Sequence, residues 1–101
     1  YRSDDIYEKA SKYMIRSYEM KPDSKKAYDL GRTLSEIDID KALAYYAEGI
    51  VRNTNSEIVA KCQERLAKLY KDEKGDELSE EQLKAEIEKI IEAAKGRLKK
   101  S

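Results

Sequence analysis

The segment Ala27-Tyr28-Asp29-Leu30-Gly31-Arg32-Thr33-Leu34, followed by Lys41-Ala42-Leu43-Ala44-Tyr45-Tyr46-Ala47-Glu48-Gly49-Ile50, decides the fold. In the first half Ala27, Leu30, Gly31 and Leu34 recur every three or four residues. In the second, Ala42, Leu43, Tyr46, Gly49 and Ile50 do the same. Each half is therefore predicted to be an amphipathic helix with one apolar stripe. The linker Ile37-Asp38-Ile39-Asp40 is short, so the second helix should fold back nearly antiparallel to the first.

Working outward, the same periodicity predicts helices over about 4–20, 24–37, 40–52, 56–73 and 80–99, with no segment that alternates in the manner of a strand. The first carries Tyr7, Ala10, Met14 and Tyr18 on one face, with Ser3 as its N-cap and Pro22 as its stop. Asp23 or Ser24 caps the second. Thr54 and Glu57 have capping-box spacing for the fourth, whose stripe is Val59, Cys62, Leu66, Leu69 and Tyr70. The fifth opens on a second capping box, Ser79 with Gln82, bracketed by Leu78 and Leu83 at hydrophobic-staple positions. Leu83, Ile87, Ile90, Ile91, Ala94 and Leu98 form its stripe. The expected class is all-α, about five antiparallel helices in one domain spanning 1–101, a piece of a longer protein.

Shifting the chain against itself by 32 residues places Lys9-Ala10 on Lys41-Ala42, Tyr13 on Tyr45 and Met14 on Tyr46. Ser17 then falls on Gly49, Pro22 on Thr54 and Ser24 on Ser56. A small residue, a large one four later and a small one three after that let two helices approach closely while the large side chain fills the space beside them. Over about residues 7–70 this pattern resembles the tetratricopeptide repeat. Leu30, Gly31 and Leu34 look like its Leu-Gly-x-x-Tyr element, with Leu34 in place of the aromatic. Ala42, Tyr46 and Gly49 look like its small–aromatic–small triplet, and Leu66-Ala67-Lys68-Leu69-Tyr70 again resembles the first-helix element. The third repeat has no such triplet in its second helix. The resemblance implies helices stacked as a right-handed superhelix; a closed antiparallel bundle is the alternative architecture.

Composition narrows the function. Of 101 residues, 21 are Lys or Arg and 21 Asp or Glu, and this balance disfavours nucleic acid, whose binding draws on a basic surface. The absence of His removes Ser–His and Cys–His nucleophilic sites and the usual zinc sites. No catalytic residue, cofactor or metal ligand is expected. The lone Cys62 lies in an apolar seam and reads as structural. No apolar run approaches the length of a membrane span, so no membrane insertion is expected. No signal peptide is read at the start of the chain, which leaves localisation open.

What stays is the concave surface of stacked helical hairpins, against which a protein or peptide partner binds. The resemblance implies that ligands lie on first-helix residues beside the packing stripe. Those positions here are Lys25, Tyr28, Arg32 and Glu36, then Lys61 and Lys68, with Glu64 and Lys71 beside them. Their excess of positive charge suits an acidic or carboxylate-bearing peptide. The fifth helix is expected to pack back on the fourth; left unpacked, its stripe would be a self-association face giving a homodimer. Two other readings compete: a structural spacer or capping domain beside a catalytic domain, for instance a thioredoxin-like one, and an artificial helical bundle without a ligand.

Overall fold

The computed structural model describes residues 3–99, with side chains from residue 5 onward. Every regular element in that range is helical: α1 (Ser3–Met20), α2 (Ser24–Leu34), α3 (Ile39–Arg52), α4 (Ser56–Lys74) and α5 (Glu80–Lys99). The chain is therefore all-α, as its periodicity predicts. Each of the first four helices packs on its successor, and α2 also meets α4. The radius of gyration, 13.4 Å, is close to the roughly 13 Å of a compact chain of this length, so no helix projects away from the rest.

Local chemistry sets the helix ends. Asp23 caps α2 by accepting from the Lys26 amide at 2.8 Å, and Asp38 caps α3 by accepting from Lys41 at 3.2 Å. To cap, Asp38 must be extended (φ −151°), so α2 cannot run into it. It stops at Leu34 rather than residue 37, and Glu36 and Ile37 close a turn onto Thr33 and Leu34. The fourth helix also starts differently from its predicted cap. Asn55, not Thr54, accepts from the Glu57 and Ile58 amides. Asn53 meanwhile ends α3 in the left-handed region (φ 48°), where asparagine is among the better tolerated side chains. The Ser79–Gln82 capping box forms in both directions, at 3.0 and 3.2 Å. The Ser3 side chain, the predicted cap of α1, lies outside the described side chains.

Two apolar clusters share α3. Tyr18, Ala27, Leu30, Leu34 and Ala42 knit α1, α2 and α3 together. Tyr28, Leu43, Tyr46, Ala47, Ile58, Cys62, Leu66 and Ala94 join α2 to α5. The small residues do what their spacing predicts. A Cβ on Gly31 would lie 2.5 Å from the Tyr46 ring, so the ring seats directly on the α2 backbone. A Cβ on Gly49 would lie 2.8 Å from Cys62 Sγ, so α4 closes onto α3 at that point.

The fifth helix corrects one expectation. It packs chiefly on α3, with α4 the lesser contact. Ala47 and Ala94, both fully buried, keep that approach close. Arg97 then reaches across to Glu48 at 3.2 Å and to the Ala44 carbonyl at 3.4 Å. Ile87, Ile90 and Ile91, partly buried, and the buried Ala94 are thus engaged within the chain.

Gly96, by contrast, has open space where a Cβ would stand. It carries only the entropic cost of glycine in a helix. Gly96→Ala is expected to stabilise the chain by about 0.5–1 kcal/mol, measured as a higher urea midpoint at unchanged slope.

Candidate functional site

The predicted groove residues separate into three groups. Tyr28 is only 6% exposed, its ring tilted against Tyr46 at 6.0 Å between centroids. It belongs to the core and lines neither of the clefts described below. Arg32 lies over the Tyr28 ring, its guanidinium carbon 5.7 Å from the ring centre, a cation–π arrangement that holds the charge in place. Arg32 and Glu36 line a cleft of about 350 Å³, together with Tyr7 and Met14 of α1 and Asp29 and Thr33 of α2.

Lys68 lines a smaller cleft of about 160 Å³, with Tyr46, Leu69 and Asp72. The two clefts share Ser35 and Arg65 and so make one furrow from α1 across α2 to α4. Lys25 lines neither cleft and pairs with Asp29, at the edge of the larger one, at 3.7 Å. Lys61 is exposed on α4 and lines neither cleft. Of the six predicted residues, the furrow thus brings together Arg32, Glu36 and Lys68, while Tyr28 is packed in the core beneath Arg32.

Arg65 is the residue that the sequence reading missed. It stands four after Lys61 and three before Lys68, on the same helical row, and that spacing was the available signal. Neither Arg32 nor Arg65 makes an ion pair among the described residues. Two guanidiniums held on different helices, open to one cleft, can grip a carboxylate from two sides through charge-assisted hydrogen bonds. Burial pushes the Tyr46 phenol up to about 12, although the Arg65 charge opposes the rise, so this wall of the smaller cleft stays neutral at physiological pH.

The other reactive types are withdrawn. Burial raises the Cys62 thiol to about 11, and the charge of Asp29 adds to the effect, so thiolate is scarce near pH 7. Tyr18 sits in a polar cluster at the opposite side of α3. Its hydroxyl donates to Glu48 at 2.8 Å and accepts from Arg52, which also stacks over the ring at 5.0 Å. Burial above all raises its phenol. With Arg97 on the other carboxylate oxygen of Glu48, this cluster ties α1, α3 and α5 together.

Among the described residues, no group of three or more His, Cys, Asp or Glu is placed to hold a metal ion. None of the described helices is long and apolar enough to cross a membrane. In comparisons with known proteins, no family matches this chain, and neither a curated protein nor a solved structure matches it.

Proposed function

We infer that the chain is a tetratricopeptide-like interaction module that binds an acidic, carboxylate-bearing peptide along the furrow between α2 and α4, without catalysis. The observation that carries this reading is the pair Arg32 and Arg65, on two helices, opening on one cleft with no carboxylate partner among the described residues. Two features support the repeat-like stacking. The Tyr46 ring seats on Gly31, and Gly49 closes on Cys62, at the positions where the resemblance wants small residues. The contact of α2 with α4, two helices on, is the arrangement that aligns first helices along one surface. The hydroxyls of Thr33 and Ser35 add donors beside the guanidiniums, and Tyr46 with Leu69 supplies apolar surface in the smaller cleft.

Charge reversal tests it. Arg32→Glu with Arg65→Glu is expected to weaken capture of a short acidic peptide by about tenfold or more, while both exposed sites leave the melting temperature nearly unchanged. Calorimetric titration beside a thermal melt measures both. Unchanged affinity in the double variant would remove the furrow from consideration.

A further inference from the structure

The outer face of α1 carries the largest exposed apolar side chains of the described residues: Ile6 at 47%, Tyr13 at 78% and Met20 at 87%. They stand seven apart and so return to one line along the helix. Lys9 and Arg16, also seven apart, run beside that line, and neither has an ion-pair partner among the described residues. Lys12, farther round, is paired with Glu8 at 3.9 Å.

The internal repeat says what such a face receives. Adding 32 turns Tyr13 into Tyr45, Arg16 into Glu48 and Met20 into Arg52. Those three residues of α3 together hold Tyr18 of α1. Tyr45 meets its ring edge-on at 5.7 Å, Glu48 accepts from its hydroxyl, and Arg52 donates to it. The equivalent face of α3 thus receives an aromatic side chain from a neighbouring helix, whereas that of α1 is bare.

Two substitutions set the chemistry of the occupant. Where α3 has the acceptor Glu48, α1 has the donor Arg16, so the partner must offer an acceptor instead of a hydroxyl donor. Where α3 has Arg52, α1 has Met20, which suits an apolar or aromatic side chain. A second copy of α1 fits poorly. In an antiparallel pair centred on Tyr13, the Lys9 and Arg16 rows would face each other and repel. We propose that the outer face of α1 docks an amphipathic helix of a partner protein, with an aromatic-bearing apolar stripe flanked by Asp or Glu.

The test uses the full chain and two synthetic helical peptides matched to the 18 residues of α1. Both carry a Leu/Tyr stripe, flanked by Glu in one and by Lys in the other. Fluorescence anisotropy is expected to show the Glu peptide binding at least about tenfold more tightly than the Lys peptide. Tyr13→Ser with Met20→Ser is expected to remove about tenfold of that affinity, and Lys9→Glu with Arg16→Glu to reverse the preference. Arg32→Glu, in the furrow, is expected to change neither. Circular dichroism checks that each variant stays helical; if the serine variant does not, the charge-swap variant carries the test. Equal affinity for both peptides, no binding of either, or binding untouched by the α1 variants overturns the proposal. So does sedimentation showing a dimer that Tyr13→Ser dissolves, since a second copy would then be the occupant.

Discussion

Gly31→Ala is expected to cost the fold about 2 kcal/mol, although alanine is the better helix former. The new methyl would lie 2.5 Å from two carbons of the Tyr46 ring, well inside van der Waals contact. Propensity favours the substitution by about 1 kcal/mol, while overpacking a fully buried ring costs about 3 kcal/mol, so the clash wins. A double-mutant cycle makes the claim specific. Tyr46→Leu alone should destabilise by about 3 kcal/mol, through lost burial and an unfilled space. Combined with Gly31→Ala, it should cost at least about 1 kcal/mol less than the sum, because the leucine leaves room for the methyl. Urea unfolding of the four proteins measures the coupling. Strict additivity would mean that the ring does not seat on Gly31.

Ser24→Ala is expected to have a comparable effect for the opposite reason, a loss of polar partners. Ser24 is fully buried, donates to the Gly49 carbonyl at 2.8 Å and accepts from the Thr54 amide at 2.9 Å. Its own amide donates to Thr54 Oγ1 at 2.8 Å. This reciprocal clasp joins the start of α2 to the turn after α3. Alanine would strip the buried Gly49 carbonyl of its hydroxyl donor and the Thr54 amide, in a half-buried bond, of its acceptor, and losing such partners costs about 1–3 kcal/mol. A loss of about 2 kcal/mol follows, read as a lower melting temperature. Thr54→Ser keeps the hydroxyl and is expected to stay within about 0.5 kcal/mol of the parent.

The same turn shows where sequence reading stops. Thr54 and Asn55 are both good caps, and Glu57 three after Thr54 makes the first look better. What decides between them is the clasp with Ser24, thirty residues away, which occupies the Thr54 hydroxyl and leaves capping to Asn55. No local pattern carries that information. The Ser79–Gln82 box has no such competitor and forms as read.

Stripes were legible for the same reason that caps were ambiguous. Apolar spacing in α2 and α3 depends on the helix alone, and Ala27, Leu30, Leu34, Ala42, Leu43 and Tyr46 are all buried. Which helix a stripe meets depends on the whole arrangement. The stripe of α5 was visible, but its preference for α3 over α4 rests on small residues from two distant segments. The furrow divides likewise. Arg32 was legible because it adjoins the Leu30–Gly31 stripe. Arg65 was not, because the flank of α4 that faces α2 is set by how the two helices cross. Lys61, on that row but one turn nearer the start of α4, falls beyond the cleft.

The most direct test of binding in the furrow is an amide chemical-shift titration of the whole chain. The ligand is an acidic peptide with a free C-terminal carboxylate, too short to hold a helix in water. The largest shifts are expected at Arg32, Thr33 and Ser35 and at Arg65 and Lys68, with Gly96 on the open side of α5 unmoved. Shifts gathered on α5 or on the outer face of α1, or no shifts at saturating peptide, would contradict it.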